Sequence, residues 1–123
     1  MNQASFESWL AEYGRAWMSR NARAAAELFT EDGTYQVTPF VDAMRGRPAI
    51  LDYWKHVAQT QRDIEFDCEV LAVTPEIGIA RWWATFVIEP PGLPTKLDGI
   101  FLVCLDDEGR CRSFREWWHK DQN

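Results

Sequence analysis

Two carboxylates stand where a strand-rich chain would ordinarily place an apolar side chain. Glu116 lies in FREWWH, Phe114 to His119, and Asp98 lies in KLDGIF. Side chains alternate between the faces of a strand, so a strand that buries Phe114 and Trp118 carries Glu116 with them. The same alternation groups Asp98 with Lys96, Ile100 and Leu102. A carboxylate on an apolar face is costly unless it is paired, hydrogen-bonded or protonated. If Asp98 and Glu116 share a cavity from neighbouring strands, each other's charge and desolvation raise the pKa of one of them. That is the physical basis of an acid/base pair near neutral pH. The other reading of Glu116 is a salt bridge to Lys96, Arg81 or Arg112 that ties the sheet together. Tyr13 sits on the apolar stripe of the first helical segment, and its hydroxyl needs a partner if it is buried.

Other chemistry-bearing residues carry less. His119 stands at a strand end and alternates away from Glu116, which makes it a surface or interface residue. His56, beside Lys55, lies off the apolar face of its helix. Arg45 and Arg47 flank Gly46, either to recognise an anionic ligand or to solvate a loop. The two histidines are far apart and no acids stand at ligand spacing, so no metal site is expected. There is no Gly-rich phosphate loop, and no cofactor is expected. The cysteines, Cys68, Cys104 and Cys111, are odd in number and form no CxxC, which suggests reduced thiols. Cys104 and Cys111 flank the turn Asp106-Asp107-Glu108-Gly109, where they could face each other across a hairpin.

The whole chain bounds these readings. Its 123 residues suit one domain with a real core, and 46% hydrophobic content argues against disorder. Seven Trp and seven Phe are a heavy aromatic load, suited to a core, a pocket wall or an interface. A net charge of −6 speaks against nucleic acid and against an anionic membrane surface as partners. The first residues, MNQASFESWL, lack the basic start and apolar run of a signal peptide. The longest nearly apolar segment, IGIARWWATFVI, contains Arg81 and is too short to span a bilayer. A cytoplasmic protein is expected.

The elements that must position the candidates follow from periodicity. Phe6, Trp9, Leu10, Tyr13 and Trp17 predict a helix over 5–19, with Ser5 as its N-cap. Asn21 caps a second helix, Ala22 to Phe29, stopped by Asp32-Gly33. Thr34 to Thr38 predicts a short strand, and Pro39 to Arg47 a loop. Pro48 opens a third helix to about Thr60, with Ile50, Leu51, Trp54, Val57 and Ala58 as its apolar face. Strands follow over Asp63–Val70, Ile77–Ile88, Lys96–Leu105 and Arg110–His119. In the first, Asp63, Glu65, Asp67 and Glu69 form a solvated face. The later strands are apolar on both faces, so helices cover one and a second copy of the chain is expected on the other. Helices first and a meander afterwards predict an α+β fold.

This order, with Leu28-Phe29-Thr30-Glu31-Asp32-Gly33-Thr34-Tyr35, Gly46-Arg47-Pro48-Ala49-Ile50 and Phe114-Arg115-Glu116-Trp117-Trp118, resembles the SnoaL-like, or nuclear transport factor 2-like, superfamily over nearly the whole chain. The resemblance implies three N-terminal helices on a strongly curved mixed or antiparallel sheet, forming a cone with an internal pocket. It implies pocket walls from the first helix, the first strand and the inward faces of later strands. Those walls would hold Trp17, Val37, Trp54 and Trp83, with Lys96, Ile100, Phe114 and Trp118 beyond them. By similarity to the steroid isomerase branch, Tyr13 and Asp98 would donate hydrogen bonds to a substrate oxygen, a pairing already worked out for that branch. That branch's base falls near Val37 or Thr38, and neither can abstract a proton. By similarity to the limonene epoxide hydrolase branch, Lys96 and Asp98, Glu116, and Tyr35 with Val37 hold the active positions, with Lys in place of Arg and Val in place of Asn. The resemblance thus implies a small apolar ligand and cofactor-free isomerase, hydrolase or cyclase chemistry by Asp98 and Glu116, assisted by Tyr13 or Tyr35. The superfamily also includes binding and dimerisation modules, so the fold alone selects neither.

Overall fold

The computed structural model describes residues 1–122. The chain opens with α1 (Gln3–Met18) and α2 (Ala22–Glu27), enters β1 (Phe29–Gln36) and a short β2 (Met44–Arg45), and continues into α3 (Arg47–Thr60). Four long strands complete it: β3 (Gln61–Val73), β4 (Gly78–Ile88), β5 (Leu93–Leu105) and β6 (Cys111–Gln122). They form an open six-stranded sheet in the order β2-β1-β6-β5-β4-β3. β1 runs parallel to β6 and every other pair is antiparallel, which makes the sheet mixed. The α+β reading therefore holds.

Local chemistry explains the boundaries. The N-cap of α1 is Asn2, whose side chain accepts from the Ser5 amide at 2.9 Å, while the Ser5 hydroxyl accepts from the Asn2 amide at 3.0 Å. Ser5 is thus the returning half of a capping box and not the cap itself. Asn21 caps α2 as expected, accepting from Ala24 at 3.0 Å. That helix stops short of Phe29 because the sheet takes over. The Cys111 amide donates to Leu28 O at 2.8 Å, and Phe29 pairs with Cys111. β1 therefore begins at Phe29, five positions before the expected Thr34, with a register shift absorbed before Thr34. Inside the expected loop, Thr34 and Tyr35 pair with Arg45 and Met44.

The helical stripe is buried as its spacing predicts. Phe6, Trp9, Leu10, Tyr13 and Trp17 all point into the core. α1 lies close on β3 at Gly14, where a Cβ would stand 2.7 Å from Cδ1 of Phe66. The inner face of the sheet carries Ile64, Trp82, Phe86, Phe101, Val103 and Phe114, all buried. Each such Ile, Val or Phe side chain contributes roughly 1.5–3 kcal/mol by leaving water. Gly99 marks a close backbone approach, since a Cβ there would run into the Trp117 carbonyl of β6. Among the described residues no helix is long and apolar enough to cross a membrane.

Candidate functional site

Register decides which polar groups reach the inner face. β5 and β6 pair with Phe101 opposite Glu116 and Asp98 opposite His119. Residues directly opposite share a face. Glu116 therefore joins Phe101, with Phe114 and Trp118 on either side of it along β6, and is only 7% exposed. β1 and β6 set Tyr35 beside Phe114, their rings stacked at 4.5 Å and 10°. α1 brings Tyr13 over Phe101 at 5.3 Å, and α3 brings Tyr53 to 5.3 Å from the Tyr35 ring. The Tyr13 and Tyr35 hydroxyls lie 3.0 Å apart and share one hydrogen bond. One of the two protons remains free to be donated elsewhere.

The electrostatics follow from dryness. Burial pushes the Glu116 carboxyl well above the ordinary carboxylate range, with no opposing ion pair or hydrogen bond. The protonated acid is the form that such a site favours, and it both donates and accepts. Burial also raises the Tyr13, Tyr35 and Tyr53 hydroxyls, and the nearby Glu116 adds to the effect. All of them are held in their neutral, proton-bearing forms. The indole Nε1 atoms of Trp54 and Trp82 are buried without a protein partner. Trp118 at the rim donates its indole N–H to the Val37 carbonyl at 2.6 Å, fastening the end of β1 to β6.

Several expected members of this site lie elsewhere. Asp98 does not share a space with Glu116. It faces the outer side of the sheet, where Arg81 grips it through Nη2 at 2.6 Å and Nε at 3.2 Å. That guanidinium holds the Asp98 carboxyl below its usual range, so Asp98 is an ionised partner and not a neutral donor. Trp83, Lys96 and Ile100 are on the same outer side, set by Trp83 opposite Asp98, Thr85 opposite Lys96 and Arg81 opposite Ile100. The expectation that they line an inner pocket is corrected by register. Lys96 and Arg81 lie on the outer face, Arg112 is exposed, and no cation contributes to the electrostatics of Glu116, so the salt-bridge reading of Glu116 fails as well. Tyr13 and Tyr35 do lie near it and Phe114 stands beside it on β6, while Trp54 packs on the two tyrosine rings. Trp17 is inside but spends its N–H on Gln61 at 2.8 Å.

The remaining candidates settle simply. Arg47 donates to Phe29 O at 2.7 and 3.2 Å and so fastens the start of β1. Arg45, His56 and His119 are exposed. Cys104 sits opposite Ser113 and not Cys111, and the three thiols are free. Burial raises the Cys111 thiol far above its ordinary range. Among the described residues no cluster of His, Cys, Asp or Glu is placed to hold a metal ion. Tyr53 is an additional member of this site, and its only signal in the sequence is the helical spacing of Ile50, Tyr53, Trp54 and Val57.

Comparison with known proteins agrees with this architecture. The family model of the SnoaL-like domain matches residues 10–114, and the chain belongs to that family. No curated protein matches the sequence. Among solved structures, the chain is similar to the epoxide hydrolase/cyclase-like enzyme SalBIII of pyran ring formation in the polyether salinomycin. That pair is 20% identical with a TM-score of 0.83, covering 96% of this chain and 93% of that one. A putative isomerase from Bacillus subtilis is 22% identical at a TM-score of 0.83, over 97% of this chain and 90% of that one. A computationally designed 17-OHP binder is 13% identical at a TM-score of 0.80, over 94% and 95% respectively. At these identities the likeness establishes the fold alone.

Proposed function

We propose that this member of the SnoaL-like family binds a small, largely apolar organic ligand on the inner side of its sheet, and that Glu116 is the group that exchanges a proton with it. The observation that carries this reading is a carboxyl group sunk among Phe101, Phe114 and Trp118 with no cation or hydrogen bond of its own. Nothing in folding repays that burial, since an apolar residue of the same shape would serve the core better. The Tyr13–Tyr35 pair supplies a free hydroxyl proton beside it. Proton exchange of this kind is what cofactor-free isomerase, hydrolase or cyclase chemistry requires. The hydrolase/cyclase-like and isomerase names of the similar structures are compatible with it.

A non-catalytic binding module is the second reading, and the position of Asp98 favours it. With Asp98 held outside by Arg81, Glu116 lacks a second carboxylate with which to divide acid and base roles. A thermal-shift screen of small apolar compounds on the wild type, Glu116→Gln and Tyr13→Phe separates these readings, with product followed by mass spectrometry. Ligands should stabilise the wild type and do so less in Glu116→Gln. Binding without turnover selects the module. Binding that neither substitution alters removes Glu116 from the site.

The outer face supports a second proposal, a homodimer. Trp117 is 40% exposed there. The acidic row Glu65, Asp67 and Glu69 lies on β3, while Arg115 lies on β6. A two-fold apposition would set the acidic edge strand β3 of one copy against Arg115 on the inner strand β6 of the other. A dimer in sedimentation that Trp117→Glu converts to monomer is the expected result. We further propose a cytoplasmic setting, in which Cys68, Cys104 and Cys111 stay reduced.

A further inference from the structure

Both faces of the sheet set a carboxyl group among aromatic rings, but they differ in charge. On the outer face Arg81 joins a carboxylate and an indole: its guanidinium bonds Asp98 at 2.6 Å and lies 4.6 Å from the centre of the Trp83 ring. Arg115 stands over Trp117 in the same manner at 5.5 Å. On the inner face there is again a carboxyl group, Glu116, among rings. Tyr13 of α1, Tyr35 of β1, Tyr53 of α3 and Phe101 of β5 surround it, with Phe114 and Trp118 beside it on β6. None of these carries a positive charge. Lys120 at the rim lies 5.7 Å from the Trp118 ring, and no cation contributes to the electrostatics of Glu116.

We propose that the ligand of the inner site carries a basic nitrogen, which takes beside Glu116 the place that Arg81 holds beside Asp98. The proposal rests on the inner side of the sheet being a ligand site and specifies the ligand's chemical class. Ring faces attract cations and repel anions, most strongly in a desolvated site. A buried carboxyl gains most from a partner that lets it ionise with its charge compensated on the spot. An amine entering as its ammonium form meets the protonated Glu116 acid. One proton leaves to water, and a carboxylate–ammonium pair remains. The three phenols stay protonated throughout, because burial raises them too, and their oxygens can accept the remaining ammonium protons. A ligand bearing only a neutral oxygen leaves the rings without that cation.

Calorimetry with phenethylamine, phenethyl alcohol, acetophenone and phenylacetate tests this on the full chain. Phenethylamine should bind at least tenfold more tightly than the alcohol or the ketone, and phenylacetate most weakly. Its affinity should rise about tenfold per pH unit on the acid side of the Glu116 titration, with one proton released, while that of the alcohol should not. Glu116→Gln, checked for folding by circular dichroism, should lose at least tenfold for phenethylamine and a clearly smaller factor for the alcohol. Equal or tighter binding of the alcohol or ketone by the wild type overturns the amine proposal and leaves the ligand site standing, as does unchanged amine affinity in Glu116→Gln. If none of the four binds, the inner ligand site fails and the amine proposal fails with it.

Discussion

Asp98 and Glu116 are both acids on adjacent strands of one sheet, yet the sheet treats them oppositely. Asp98 faces outward, half-exposed, gripped by Arg81 and held ionised. Glu116 faces inward at 7% exposure, alone among rings, and favours its proton. The same functional group therefore acts as a surface ion-pair partner in one place and as a dry proton reservoir in the other. Environment sets the difference: a water-facing carboxylate can recruit a cation, whereas a buried one without a cation escapes the cost of charge by staying neutral.

Four measurements break or sharpen this contrast. The largest effect belongs to the inner packing. Phe101→Ala, at a fully buried ring opposite Glu116, should cost about 3–5 kcal/mol in urea unfolding. Its neighbour Ile100→Ala, on the outer face and partly exposed, should cost less than half as much; equal costs would mean that the two faces are not distinct. The second concerns pH. Glu116 binds its proton more tightly folded than unfolded, so its contribution is complete below the ordinary carboxylate pKa and is lost as pH rises through the raised folded value. The melting temperature of the wild type should fall on going from pH 5 to pH 8, and Glu116→Gln should flatten that slope by several degrees. A slope unchanged in the variant would show that the acid is not dry.

Third, Tyr13→Phe and Tyr35→Phe should each cost about 1 kcal/mol, because each leaves the other hydroxyl without its partner. The double variant should cost less than the sum, the mark of a shared bond in a double-mutant cycle. Strict additivity would dissolve the pair. The smallest effect is expected outside. Asp98→Asn removes an exposed ion pair, and its melting temperature in moderate salt should match the wild type within error. A large loss there would make the outer carboxylate as consequential as the inner one and erase the contrast.

Much of this was legible in the residues. The α1 stripe, the Asn21 cap, the β3 alternation and the pairing of Glu116 with Phe114 and Trp118 on one face all follow from periods of 3.6 and 2. The ends of elements were not. α2 yields to β1 at Phe29 because a sheet hydrogen bond from Cys111, far along the chain, outweighs local helical preference. Tyr53 was readable from its spacing to Ile50 and Val57, but only contact with Tyr35 gives it a place in the site.

The sequence by itself determined which side chains of each strand travel together: Glu116 with Phe114 and Trp118, and Asp98 with Lys96 and Ile100. Alternation is a property of one strand and needs no neighbour. Which of those sets faces the helices was decided by tertiary structure alone. It depends on the register of β5 against β6, where Phe101 meets Glu116 and a shift between Cys104 and Leu105 adjusts the pairing. A change of register by one residue would exchange the two faces. That offset is a relation between strands, fixed by the turn and by the packing of the whole inner layer, and it sent one acid inward and the other out.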